Sequence, residues 1–124
     1  MNKQRPKNLD LLSIRFPIPA IVSILHRISG FILLFMIPLV LWALDNSLSS
    51  SDDFQALSDH LSTPLAKGLI WVLLAPFLYH FVAGIRHLLM DINIGIELKT
   101  GRLSSILTLI VAFLLIILSG VYLW

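Results

Sequence analysis

Three long runs without a formal charge dominate the chain, each bounded by polar and charged residues. They cover Ile28–Leu44, Gly68–Ile85 and Leu103–Trp124, or 17, 18 and 22 positions. A membrane-spanning helix needs roughly 20 residues at a rise of about 1.5 Å each, and the first run gains length by reaching back through Ile21. The pattern predicts transmembrane helices over about 20–45, 66–90 and 102–124. A polar arm, residues 1–18, precedes them and ends in "RFPIP", where Pro17 and Pro19 stop any earlier helix and preset the first turn of the next. The connection "DNSLSSSDDFQALSDHLSTP" is rich in Ser and Asp. Within it Phe54, Leu57 and Leu61 recur at i, i+3 and i+7 behind Ser51–Asp52, the spacing of a short amphipathic helix on the surface. The second connection, about residues 87–102, carries mixed charge and ends at Gly101. Pro38 and Pro76 fall inside spans, where neighbouring helices can satisfy the carbonyls they free. With no internal repeat, residues 1–124 read as a single domain, an all-α integral membrane protein with three transmembrane helices.

Composition supports lipid as the solvent. The 124 residues are 57% hydrophobic and 13% charged, with a mean hydropathy of +0.91; soluble domains carry about 25% charged residues. There is no cysteine, which excludes a disulfide framework, a Cys-ligated iron–sulfur cluster and c-type haem attachment in this chain. The opening "MNKQRPKNLD" reads as neither signal nor transit peptide, and a bacterial inner membrane is the simplest expected home.

Charge then orients the spans. Eight of the nine Lys and Arg residues lie ahead of or at the mouth of the first span, or between the second and third; Lys67 alone lies in the other connection, with Asp45, Asp52, Asp53 and Asp59. The positive-inside rule therefore predicts a cytoplasmic N-terminus and a periplasmic C-terminus. The pI of about 9.3 reflects this asymmetry and implies no nucleic-acid partner.

Candidate chemistry gathers at the basic ends of the first two spans. In "SILHRISG", Ser23, His26 and Arg27 share a helix face, and Gly30 one turn on permits close approach by a backbone or a flat ligand. A lone Arg27 could simply snorkel to headgroups, with His26 an ordinary interfacial residue. In "YHFVAGIRHLLMD", His80 lies about 9 Å inside the boundary that Arg86 marks, and an ionisable residue at that depth is a site candidate. The bland alternative is a neutral histidine hydrogen-bonded to a neighbouring helix. Gly84 opens space beside His80, while Asp91 stands one turn beyond His87 and can orient its imidazole. His60 reads as exposed and uninvolved. A haem b would use the imidazole, the apolar walls and nearby cations for its propionates. A quinone would use a hydroxyl or cationic donor, and a proton relay would look similar.

Two stretches carry a resemblance. "RPKNLDLLSIRFPIPAIVSILHRISG" has an Arg-Pro opening and a Ser-x-x-His-Arg-x-Ser-Gly core, and "HFVAGIRHLLMD" has His-x3-Gly-x-Arg-His-x3-Asp. Together, over essentially the whole chain, they resemble the cytochrome b556 subunit of succinate dehydrogenase, the larger membrane anchor of respiratory complex II. Lys7 and Asn93 depart from the family's usual residues. The resemblance implies an axial haem b ligand at His80, a ubiquinone pocket lined by Ser23 and Arg27, and haem propionates near His26 and Arg27. It also implies assembly with a flavoprotein, an iron–sulfur protein and a second small anchor. Succinate chemistry would lie in the flavoprotein, so this chain would hold no flavin or iron–sulfur site and no catalytic residue of its own. An anchor of a quinol–fumarate reductase and a haem-free interaction or proton-relay protein are the alternatives.

A second axial histidine is expected from another subunit. His87 lies seven residues, about 10 Å of helix rise, from His80. His26 sits at the mouth of the first span, about two turns shallower than His80, and His60 falls on the opposite side of the membrane. The resemblance points to the smaller anchor as the source.

Overall fold

A computed structural model describes residues 15–124, so expectations on the arm before Arg15, including Lys7, fall outside the described residues. Four helices follow in order: α1 Ile18–Ser49, α2 Ser51–Leu61, α3 Pro64–Asp91 and α4 Leu98–Leu123. Of these, α1, α3 and α4 are long and apolar enough to cross a membrane. The expected architecture is therefore present, with the short amphipathic helix where Phe54, Leu57 and Leu61 placed it.

Each boundary has a local cause. Pro17 caps α1 with extended backbone, and its carbonyl accepts from Ala20 and Ile21 at 2.9 and 3.2 Å. The Ser50 hydroxyl accepts from the Asp53 amide at 3.0 Å, and Asp52 and Asp53 complement the positive end of α2. Thr63 caps α3 ahead of Pro64, a first-turn residue with no amide hydrogen to leave unpaired. Asn93 ends α3 in the left-handed region, at φ 63°. Its amide donates to the Met90 carbonyl at 3.0 Å and the next amide, on Ile94, donates to Leu89 at 2.9 Å. That closure is a Schellman motif, and asparagine is among the few side-chain-bearing residues that tolerate the required φ. The residue that departs from the family pattern thus sets the path of the second connection.

Two expectations change here. The second connection is shorter than predicted, since α3 runs to Asp91 and α4 begins at Leu98. Gly101, expected at the end of a loop, lies buried in the first turn of α4, where a Cβ would stand 3.3 Å from the Gly95 carbonyl oxygen. Arg86 does not mark a headgroup boundary. Its side chain is only 6% exposed and turns into the α3–α4 seam. There Nε donates to the Ser104 hydroxyl at 3.1 Å and Nη2 to the Gly101 carbonyl at 3.3 Å, so its charge is buried with hydrogen-bond partners.

The three long helices pack pairwise, each touching both others. What they bury is small or polar: Val22, Ala83 and Ala112, with Ser29, Ser105 and Thr108. Large apolar side chains such as Phe31, Leu34 and Phe113 face outward. In lipid there is no hydrophobic gain from turning them inward, so small residues take the seams, where backbones must approach closely. Gly120 does this for Trp71, whose indole N–H reaches the Ile116 carbonyl at 2.8 Å.

Candidate functional site

About two turns of α1, residues 23–30, lie against residues 79–87 in the second half of α3. Val22 and Ala83 are fully buried between these helices, and the Tyr79 hydroxyl donates to the Val22 carbonyl at 2.9 Å. Each helix offers a glycine to the other's histidine. A Cβ on Gly30 would lie 2.9 Å from His80 Cε1, whereas one on Gly84 would meet His26 Nε2 at 3.5 Å. The gap at Gly30 is thus filled by the imidazole of α3 and the gap at Gly84 by that of α1.

His80 is held at its Nδ1 edge. Nδ1 lies 3.0 Å from the Ser29 hydroxyl and 3.0 Å from the His26 carbonyl oxygen. The Ser29 hydroxyl itself donates to that carbonyl at 2.8 Å. With the serine proton so committed, both neighbours act as acceptors, and the assigned tautomer carries its hydrogen on Nδ1. Among the described residues nothing hydrogen-bonds Nε2, which leaves its lone pair free.

His26 stacks on both other imidazoles of the cluster. Its ring centroid is 4.1 Å from that of His80, at 14° between planes, and 4.6 Å from that of His87, at 17°. This corrects the expected depth difference: α1 and α3 are in register at His26 and His80, and the two residues lie side by side. Stacking nevertheless turns ring faces, not lone pairs, toward each other, so His26 cannot sit across one metal ion from His80 in this packing. Among the described residues no group of three or more His, Asp or Glu side chains converges as a metal cage. His26 Nε2 is buried with no hydrogen-bond partner among the described residues.

His87 is oriented differently from the expectation. Its Nδ1 hydrogen goes to the Ala83 carbonyl at 2.8 Å, and Nε2 is 3.4 Å from the Ser23 hydroxyl. Asp91 stays exposed, and the backbone of α3 performs the orienting role. Ser23 and His26 are half-buried in the cluster, whereas Arg27 is exposed beside it. The predicted face therefore splits, two residues turning inward and the arginine outward. His60 is exposed, as expected. Ser29 and Tyr79 were missed as site residues. Ser29 was legible as the residue one turn from His26 in "HRISG", but its partner could be named only once the helices were docked.

Beside His80 a groove of about 480 Å³ runs along α1 and α3, lined by Gly30, Leu34, Ile37, Leu41 and Phe77 among others. A free imidazole nitrogen, apolar walls and one open side fit a flat, apolar, iron-bearing macrocycle. Of the described histidines, His80 is the one that lines this groove.

Known proteins match the sequence over nearly its whole length. A family model described as succinate dehydrogenase/fumarate reductase transmembrane subunit matches residues 1–119. The chain is 41% identical to the succinate dehydrogenase cytochrome b556 subunit of Coxiella burnetii, covering 100% of both chains. It is 33% identical to the protein of that name from Paracoccus denitrificans, over 88% of this chain and 92% of that one. With the succinate dehydrogenase cytochrome b560 subunit of Reclinomonas americana identity is 30%, over 98% of this chain and 88% of that one. A match of this extent, on a three-span bundle with a histidine cluster at one end, leaves one conclusion: the chain belongs to the succinate dehydrogenase/fumarate reductase transmembrane subunit family.

Proposed function

We propose that this chain anchors a succinate:ubiquinone oxidoreductase in a bacterial inner membrane, binds haem b through His80 and forms part of the quinone site. The observation that carries the reading is the His80 environment, with Nδ1–H committed to Ser29 and His26 and Nε2 left free beside an apolar groove. Such outer contacts fix the tautomer and orientation of a metal-binding imidazole. When bound, haem b supplies a one-electron redox centre. Ser23 and Arg27 are assigned to ubiquinone: the hydroxyl can donate to or accept from a quinone oxygen, and the exposed guanidinium can stabilise negative charge developing there. His26 and Arg27 are assigned to the haem propionates. In the chain alone His26 Nε2 is enclosed, so Arg27 is the open cation of the pair.

A second histidine for the haem would come from another subunit. His26 is stacked on His80, His87 is tied to Ala83 and Ser23, and His60 lies beyond the far end of α3. The partners are a flavoprotein, an iron–sulfur protein and a second small anchor that supplies this histidine. The basic asymmetry supports a cytoplasmic N-terminus and a periplasmic C-terminus. The relatives' names favour succinate oxidation over the fumarate reductase direction that the family description also covers.

The test is purification in mild detergent followed by a visible spectrum. A flavoprotein, an iron–sulfur protein and a second anchor should co-purify with a low-spin b-type spectrum. His80→Leu should abolish that spectrum or make it high-spin, and His60→Leu should preserve it. An unchanged spectrum in His80→Leu would remove the haem assignment.

A further inference from the structure

The basic end of the bundle contains a groove that neither the haem nor the quinone assignment uses. Its volume is about 640 Å³, and it lies where the start of α1 meets the start of α4. Arg15, just ahead of α1, lines it together with Lys99 and Arg102 from the first turns of α4. Phe16, Ile18 and Leu98 supply apolar wall between these cations, and among the described residues no carboxylate lines the groove.

We propose that this groove is a binding site for an acidic phospholipid, its phosphate held by Arg15, Lys99 and Arg102 and its acyl chains lying along the α1–α4 face. Three observations converge on that ligand. The cations sit at the ends of two apolar helices, the level at which a membrane changes from headgroup to hydrocarbon. They come from segments far apart in sequence, so the fold assembles the charge at one place. The wall is amphipathic in the direction a lipid requires, with Leu98, 94% exposed, beside the cations and the apolar spans leading away. An acidic peptide would match the charge but not this apolar wall, and inorganic phosphate would gain nothing from it.

The location also separates this groove from the cofactor. The three long helices pack as a triangle, and the His80 groove lies along α1 and α3, whereas this one lies between α1 and α4. A second anchor seated over His80 would leave the α1–α4 face to lipid. The proposal stands even if the haem assignment fails.

The test uses the complex that co-purifies with this chain, placed in nanodiscs of phosphatidylcholine containing phosphatidylglycerol and then washed with detergent. Phosphatidylglycerol retained per complex is read by mass spectrometry. Wild type should retain it, and each of Arg15→Gln, Lys99→Gln and Arg102→Gln should weaken retention about fivefold, the worth of one cation near an anionic surface. Arg102→Lys should keep it, as should Lys67→Gln at the opposite end of the bundle. The wild-type complex carries a test without any variant, because retention should fall as ionic strength rises. Retention indifferent to salt or undiminished in the triple Gln variant would overturn the proposal. Displacement by inorganic phosphate would make the groove a simple anion site and overturn the lipid assignment. Loss of a soluble subunit from the triple variant, with its lipid intact, would assign the groove to a protein partner instead.

Discussion

The imidazole of His80 fills the space that a side chain on Gly30 would occupy. A Cβ at residue 30 would lie 2.9 Å from Cε1 and 3.4 Å from Nδ1, closer than the ring can tolerate without moving. The ring has little freedom to move, because Ser29 and the His26 carbonyl hold its Nδ1 edge. The reciprocal contact, Gly84 against His26 Nε2 at 3.5 Å, is ordinary van der Waals packing.

This asymmetry yields the first prediction. Gly30→Ala should overpack the α1–α3 seam, costing about 1–3 kcal/mol, and should shift or weaken the haem spectrum of the assembled complex. Gly84→Ala should leave that spectrum intact, and so should Gly68→Ala, where nothing lies within 4 Å of the added carbon. The measurements are thermal unfolding in detergent and the visible spectrum. Equal effects of Gly30→Ala and Gly84→Ala on both would contradict the packing described above.

The second prediction concerns Ser23 and Arg27, which share the basic end of α1 but differ in exposure. Ser23→Ala or Arg27→Leu should impair succinate–quinone activity while electron transfer to an artificial dye that accepts upstream of the membrane persists. Loss of a hydrogen bond to a charged group costs about 1.5–3 kcal/mol, or roughly 10- to 150-fold if expressed wholly in the rate. Ser23 also meets His87 at 3.4 Å, so Ser23→Ala frees His87 Nε2, whereas Arg27→Leu leaves the histidine cluster intact. Unchanged quinone kinetics in both variants would remove these residues from the site.

Arg86 and Ser104 supply the third. Ser104→Ala strands the Arg86 Nε hydrogen in a buried seam and should cost about 1–3 kcal/mol. Adding Arg86→Leu removes the stranded donor together with the buried charge, so the double variant should be more stable than Ser104→Ala alone. Thermal unfolding of the two variants beside wild type decides the matter. A double variant less stable than Ser104→Ala would mean that the guanidinium stabilises the bundle through contacts other than this pair.

Much of the fold was legible because membrane insertion reads one-dimensional properties. Run length and lack of charge named all three spans, and Ser50, Pro17 and Thr63 act within a few residues of the ends they cap. The local pattern around Phe54 was sufficient for α2 for the same reason. The mixed charge of residues 87–102 predicts a second connection longer than the observed one, and Arg86 predicts a boundary that its side chain does not mark. Charge alone does not distinguish a residue facing headgroups, such as exposed Arg102, from one turned into a seam, such as Arg86.

The sequence by itself determined the number of spans, the family motifs and the residue types available for chemistry at the basic end. Only the tertiary structure decided which of those residues meet. Depth counted along single helices separated His26 from His80 by about two turns, yet the rings stack at 4.1 Å, because α1 and α3 dock with an axial offset that no single-helix count contains. The same docking gave His80 the Ser29 hydroxyl and the His26 carbonyl and turned Arg27 outward, while the packing of α3 on α4 drew Arg86 to Ser104. Helix register and rotation are set by where small residues let two backbones approach, and that is a property of the pair of helices, not of either sequence segment alone.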